Sequence, residues 1–164
     1  MADESLQDIY VEQLKDLYSA ENQILKALPK MAKGAASKEL SSSFQEHEVQ
    51  TRTHVERLEK IFSQLGEKPG GHKCKGMEGL LEEGDEVLEE HDESPARDAA
   101  MIAAAQRVEH YEIAGYGTVR TMANMLGFAD QATLLQQTLD EEGLTDKKLT
   151  TLAETVVNVQ AVSE

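Results

Sequence analysis

Apolar residues recur at three-four spacing through four long stretches of this 164-residue chain, the pattern of helices that each bury one face. In the first stretch, from about Ser5 to Lys33, that face is marked by Leu6, Ile9, Leu17, Ile24, Leu28 and Met31, and Gly34 ends it. Pro29 falls inside the span and predicts a kink or an early break near Leu28. The second covers about Ser37 to Leu65 through Leu40, Phe44, Leu58, Ile61 and Phe62, and is stopped by Gly66 and the segment EKPGGHKCKG. A shorter amphipathic helix from Met77 to Glu90 carries Met77, Leu80, Leu81, Val87 and Leu88. Ser94-Pro95, a capping residue followed by a first-turn proline, starts the third long helix. It reaches about Leu126 through Ile102, Ala105, Val119 and Ala123. The fourth runs from about Asp130 to Val159 through Leu135, Leu139, Leu149, Leu152 and Val156.

Two long helices, a connection over residues 66–94 and two more long helices make a single all-α domain over 1–164. Short loops make antiparallel neighbours, while a long connection lets the second hairpin return in the same sense as the first. The expected architecture is a four-helix bundle with a long crossover that carries the short extra helix.

The stripes are interrupted by polar groups at four places, one on each long helix. Glu21 lies four residues past Leu17 and three before Ile24, with Tyr18 a turn away as a hydrogen-bond donor. His47, Thr51, His54 and Leu58 follow one line of the second helix, with Gln50 beside them. Glu109 and Glu112 share a stripe with Ile102, Ala105, Tyr116 and Val119, while His110 points elsewhere. Glu142 and Asp146 are in line with Leu139 and Leu149, and Glu141 faces outward. Among the small residues, Ala114, Gly115 and Gly117 suit a close helix approach, and Gly143 marks a distortion or a close contact.

A carboxylate is too costly to bury unpaired, so it is paired, protonated or bound to metal. Glu21, Glu109, Glu112, Glu142 and Asp146 would place five negative charges in the core, with no Lys or Arg on the same stripes. Two divalent cations would nearly neutralise them, and imidazoles such as His47 and His54 suit iron, manganese and zinc. Two other readings stand beside this one: protonated carboxyls that share hydrogen bonds, and stripe-margin acids whose stems alone are buried.

Composition narrows the alternatives. Aromatic residues are 4% of the chain and Trp is absent, which favours helices over a sheet sandwich. A net charge of −15 opposes nucleic acid and anionic membrane as partners, and favours cations. The single cysteine, Cys74, excludes an internal disulfide and fits a reducing cytoplasm; with His72 alone it is too little for a zinc site. The start MADESLQDIYVEQL has neither a cationic leader nor an apolar signal core, and the uncharged stretch near Ala99 to Ala105 is too short to span a bilayer. No phosphate loop, dinucleotide fingerprint or nucleophile elbow is present.

DLYSAENQILKALPKMA (Asp16 to Ala32), H-x-x-Q-T-x-x-H-V-x-R-L-E (His47 to Glu59) and KCKGMEGLLEE (Lys73 to Glu83) carry a family resemblance. RDAAMIAAAQRVEHYEIAGYGTVRTMA (Arg97 to Ala123) and TLDEEGLTDKKLTTLA (Thr138 to Ala153) extend it over nearly the whole chain. The chain resembles the YciE/YciF-type bacterial stress proteins of the ferritin-like superfamily, closest to the YciF branch. The resemblance implies a ferritin-like bundle, a homodimer and a dinuclear iron or manganese centre. That centre would take one Glu from each of two helices and Glu-x-x-His from each of the other two. Glu21 and Glu109 match the single-Glu positions, His54 the second-helix His and Glu142 the fourth-helix Glu. Thr51 stands in place of a Glu and Thr145 in place of a His, with His47, Gln50, Glu112 and Asp146 as the nearest substitutes.

The expectation is a metal-binding stress protein that reacts with peroxide or oxygen; the alternative is a non-catalytic interaction protein whose metal site is vestigial or stabilising. An apolar edge on the Met77 to Leu88 helix is a candidate dimer contact.

Overall fold

Hydrogen-bonded caps set the helix boundaries. The computed structural model describes residues 3–163; Met1, Ala2 and Glu164, the ends of the expected domain, lie outside them. Helix α1 spans Leu6–Gly34, α2 Lys38–Leu65, α3 Lys75–Glu90, α4 Pro95–Met125 and α5 Ala129–Leu152. At the start of α1, Ser5 Oγ accepts from the Asp8 N–H while the Asp8 carboxylate accepts from the Ser5 N–H, at 3.2 and 2.9 Å. Ser37 and Ser94 cap α2 and α4 through their hydroxyls alone, accepting from the Leu40 and Arg97 N–H groups, and Gly66 closes α2 in the left-handed conformation at φ 68°. Helix α1 runs through Pro29, which is exposed, so its ring displaces no core packing and the expected break does not form.

Helix α1 pairs mainly with α2 and α4 with α5, and the hairpins join through α1–α4 and α2–α5. Asp98 at the start of α4 accepts from the Ala36 and Ser37 N–H groups, whereas Tyr116 further along α4 reaches Glu21 in mid-α1. These contacts run in opposite chain directions, so α4 is antiparallel to α1 and starts at the end where α2 starts. The crossover carries the chain back along the bundle, and the second hairpin runs opposite to the first rather than in the expected same sense. The crossover helix α3 lies over α1 and α4. Leu80, Leu81, Val87 and Leu88 pack against the core there while staying half-buried, so the edge expected to serve a dimer contact is partly taken up by the chain's own bundle.

Three details depart from the stripes read in sequence. Leu6 is 45% exposed, because the buried face of α1 starts at Tyr10. After α5 the chain makes a π turn at Ala153–Val157 before α6 (Asn158–Ser163). This turn shifts the register so that Val157 is buried while Val159 is exposed. Gly143 sits in regular helix, and a methyl group placed on it would meet nothing within 4 Å. Of the small residues read for close approach, Gly115 fits that role: a Cβ there would lie 2.7 Å from Leu17 Cδ2, whereas one on Gly117 would meet nothing within 4 Å. No helix among the described residues is long and apolar enough to cross a membrane.

The core falls into two apolar clusters. One gathers Ile24, Leu28, Phe44, Met77, Met101 and Leu149; the other gathers Tyr10, Leu14, Leu58, Phe62, Val119 and Leu135. The buried acids and imidazoles lie at the level where the two meet.

Candidate metal centre

Each long helix delivers ligand-capable side chains to this level. Residues 47 and 54 of α2, two turns apart, both face inward, as do Glu109 and Glu112 on α4. Glu21 of α1, His54 of α2, Glu112 of α4 and Glu142 of α5 each offer an atom within 4.8 Å of the others. His47, Glu109 and Glu142 make a second such group. Glu142 belongs to both.

All six side chains are sealed from solvent, His47 being the most exposed at 7%. His54 Nδ1 lies 2.9 Å from Glu142 Oε1 and 3.6 Å from Glu21 Oε1, and His47 Nε2 lies 2.9 Å from Glu109 Oε1. Proximity has not produced satisfied hydrogen bonds. Eight buried atoms lack an aligned partner here: Glu21 Oε2, His47 Nδ1, His54 Nδ1, Glu109 Oε2 and both carboxyl oxygens of Glu112 and Glu142. An unmet buried polar group costs about 1–3 kcal/mol, so even with His54 Nδ1 and Glu142 Oε1 facing each other the cluster carries a cost of several kcal/mol. Oxygen-rich carboxylates joined by imidazole are the donor set of first-row divalent metals. Four carboxylates in the two groups match the charge of two such ions.

The electrostatics without metal point the same way. Burial, reinforced by neighbouring carboxylates, pushes the Glu112 and Glu142 carboxyls well above the usual range. Burial likewise raises Glu109 to about 7. His54 is buried, which opposes its charge, yet Glu142 and Glu21 outweigh burial and raise it to about 10. Burial also works against Glu21 as an anion, but Glu112, His54 and Tyr116 hold its carboxyl below the ordinary value. Three raised carboxyls and an imidazolium are the protons a metal would displace.

A second layer orients His54. Its Nε2 lies 2.8 Å from Glu141 Oε2, and the Arg57 guanidinium grips that carboxylate through two bonds of 2.6 and 2.9 Å. Arg57 keeps Glu141 ionised, so the imidazole donates from Nε2 and turns Nδ1 toward Glu21 and Glu142. The outward position read for Glu141 is therefore corrected: its carboxylate is 28% exposed and turned to α2. Tyr116, read only as an apolar stripe residue, donates to Glu21 Oε1 at 2.8 Å, whereas Tyr18 donates instead to Glu59.

Of the eight residues singled out in the sequence, the structure brings six together: Glu21, His47, His54, Glu109, Glu112 and Glu142. Gln50 accepts from the Thr145 hydroxyl and lies outside both groups. Asp146 lies outside as well, held at the half-buried margin by Gln106 at 3.3 Å and His110 at 3.2 Å. Thr51 is fully buried, and its hydroxyl donates to the His47 carbonyl, so the position where the resemblance led to a Glu carries no carboxylate.

A family model described as "Domain of unknown function (DUF892)" matches residues 5–162. The chain belongs to the DUF892 family. The chain is 46% identical to Protein YciF of Escherichia coli K12 over 158 residues that cover 96% of this chain and 95% of that protein. The crystal structure of the E. coli stress protein YciF superposes with a TM-score of 0.91 at 44% identity, over 95% of this chain and 99% of that one. YcfI of Rhodopseudomonas palustris matches with a TM-score of 0.87 at 42% identity, over 90% and 94% of the two chains. These matches bear out the resemblance to the YciF branch. A two-domain protein of Anabaena variabilis with a ferritin-like domain aligns at 20% identity with a TM-score of 0.67, over 96% of this chain and 39% of its own, a likeness of fold alone. This DUF892 chain is thus an all-helical protein of ferritin-like fold, with a buried His/Glu group able to hold metal.

Proposed function

We propose that this protein holds two divalent cations, iron or manganese, in the bundle core and reacts there with oxygen or peroxide under stress. The observation that carries the reading is Glu142: one fully buried carboxylate, shared by two ligand groups and left with both oxygens unpartnered. The bound pair would supply redox-active, Lewis-acidic centres for a small oxidant. The chain's own residues do the rest. Glu141 and Arg57 fix the tautomer and direction of His54, and Tyr116 holds Glu21 through its hydroxyl proton. The bundle walls exclude water, which strengthens each charge interaction inside. The stress-protein description of E. coli YciF supports the setting. In this reading the protein is cytoplasmic and works as a homodimer, as the resemblance implies.

A second reading, a non-catalytic structural or interaction protein whose metal site is vestigial or stabilising, draws on Thr51 and Thr145, which stand where two ligands are expected. It draws also on the structural role suggested for the R. palustris relative. Anaerobic titration of metal-free protein with Fe(II) or Mn(II) tests the site: about two ions per chain and a raised Tm are expected. Less than one ion with an unchanged Tm would exclude the dinuclear reading and leave a vestigial site. Replacing Glu21 and Glu109 together with Gln then separates them, since stress protection in cells survives that change only if the centre is not catalytic.

A further inference from the structure

The second ligand group lies at the end of an apolar cavity. The cavity has a volume of about 50 Å³ and is bounded by side chains of all five principal helices, among them Leu28, Phe44, Leu80, Leu81 and Val108. His47 and Glu109 are also in its wall, and each carries an unpartnered buried atom, His47 Nδ1 and Glu109 Oε2. Around its rim Met31, Ser43 and Asp85 are only half-buried, and Lys30 ties Asp85 at 2.8 Å, joining α3 to α1 there.

Size and polarity choose the occupant. A water needs about 10–15 Å³ of such space, whereas a dry cavity that accepts benzene measures about 150 Å³. A volume of about 50 Å³ therefore admits a molecule of two or three heavy atoms, or one xenon atom, and excludes a metabolite-sized substrate. The largely apolar wall strips hydration from whatever enters, which disfavours ions and strongly hydrogen-bonded solutes.

We infer that this cavity binds a small uncharged apolar gas, dioxygen in the reacting protein, and delivers it to the His47/Glu109 side of the centre. The gas site itself stands on cavity size and lining; delivery to a reaction rests on the metal reading proposed above. Helix α3 is then more than a connector, because Leu80, Leu81 and Gly84 form its part of the wall. Gly84 leaves room there: a Cβ at this position would only touch Ala104, at 4.0 Å.

Xenon is the probe for the gas site. Crystals of metal-free protein pressurised with xenon are expected to show one atom in contact with Phe44 and Leu81, and Ala105→Leu, which fills the cavity, is expected to abolish it. Leu81→Ala, which enlarges the cavity, is expected to retain xenon, so the test survives if the filling variant fails to fold. Ordered water filling the cavity, or xenon bound only elsewhere, overturns the proposal. In iron-loaded protein, Ala105→Leu is expected to slow oxidation by dioxygen about tenfold while changing oxidation by hydrogen peroxide less than about twofold. Equal slowing with both oxidants overturns delivery through this cavity. Failure of the chain to bind iron would remove the metal reading and with it delivery, while the xenon result alone would still decide the gas site.

Discussion

The Tyr116 hydroxyl donates to Glu21 Oε1 at 2.8 Å, with both side chains fully buried. It is the aligned hydrogen bond made by the Glu21 carboxylate, whose other oxygen has no partner. Tyr116→Phe removes the donor and leaves a buried anion less satisfied. The metal-free variant is expected to lose about 1–3 kcal/mol of stability in chemical denaturation. A loss confined to the metal-free form, recovered on loading, would show that metal takes over the role of the hydroxyl; equal losses in both forms would not.

Glu142→Gln separates folding from binding. Burial and nearby acids push the carboxyl well above its ordinary range without metal, so a neutral amide of the same shape should cost little metal-free stability, within about 1 kcal/mol. Metal binding, in contrast, should fall from about two ions per chain to one or none, because both ligand groups lose the shared oxygen donor. Retention of two ions would remove Glu142 from its bridging place.

Stability of the metal-free protein is expected to fall as pH rises. Glu109 has its carboxyl raised by burial from 4.5 to about 7, so between those values the folded chain binds more protons than the unfolded one. That window alone is worth about 3 kcal/mol of lost stability. Glu112 and Glu142, raised by burial and neighbouring charge, extend the fall to higher pH. His54 adds stability that is complete below 6.5 and lost as pH climbs through about 10. Glu21, held low, acts oppositely, and its share is lost in acid. A thermal scan from about pH 5 to about pH 9 should therefore show a declining Tm without metal and a flatter profile with it. Calorimetry at neutral pH in buffers of different ionisation heat should report roughly three to four protons released on loading, from Glu112, Glu142, the His54 imidazolium and a partly protonated Glu109. A metal-free Tm that climbs with pH would contradict the assignment of these carboxyls as neutral acids.

Arg57 and Glu141 touch His54 and lie outside both ligand groups, so their influence on a bound metal would pass through that imidazole. Arg57→Ala should weaken metal affinity about tenfold to a hundredfold while leaving the number of ions unchanged. Arg57→Lys should recover little, since one ammonium cannot make the two-pronged grip on the carboxylate. Competition with a chelator of known affinity reads the change.

The bundle was legible because its signals are local. Three-four spacing, serine caps at Ser5, Ser37 and Ser94, and stops at Gly34 and Gly66 fix each helix without reference to the others. Glu21, His47, His54, Glu109, Glu112 and Glu142 were legible for the same reason, as polar groups on apolar stripes. What could not be read depends on neighbours in space. Glu141 sits one step off its stripe and acquires meaning only when α2 brings Arg57 and His54 alongside. Asp146 has the right spacing from Glu142, but Gln106 and His110 of α4 capture it at the surface margin. Tyr116 fits an apolar stripe equally well whether its hydroxyl meets a carboxylate or water. The register change at the π turn has no local mark, since AETVV fits a regular helix as well.

Anomalous scattering at the iron and manganese edges, recorded from crystals of metal-loaded protein, tests the shared Glu142 most directly. Two peaks per chain are expected: one bonded to Glu21, His54 and Glu112, the other to His47 and Glu109, with Glu142 contacting both. A single peak, or none, with the eight unpartnered atoms instead bridged by ordered water, would contradict a dinuclear centre in this bundle.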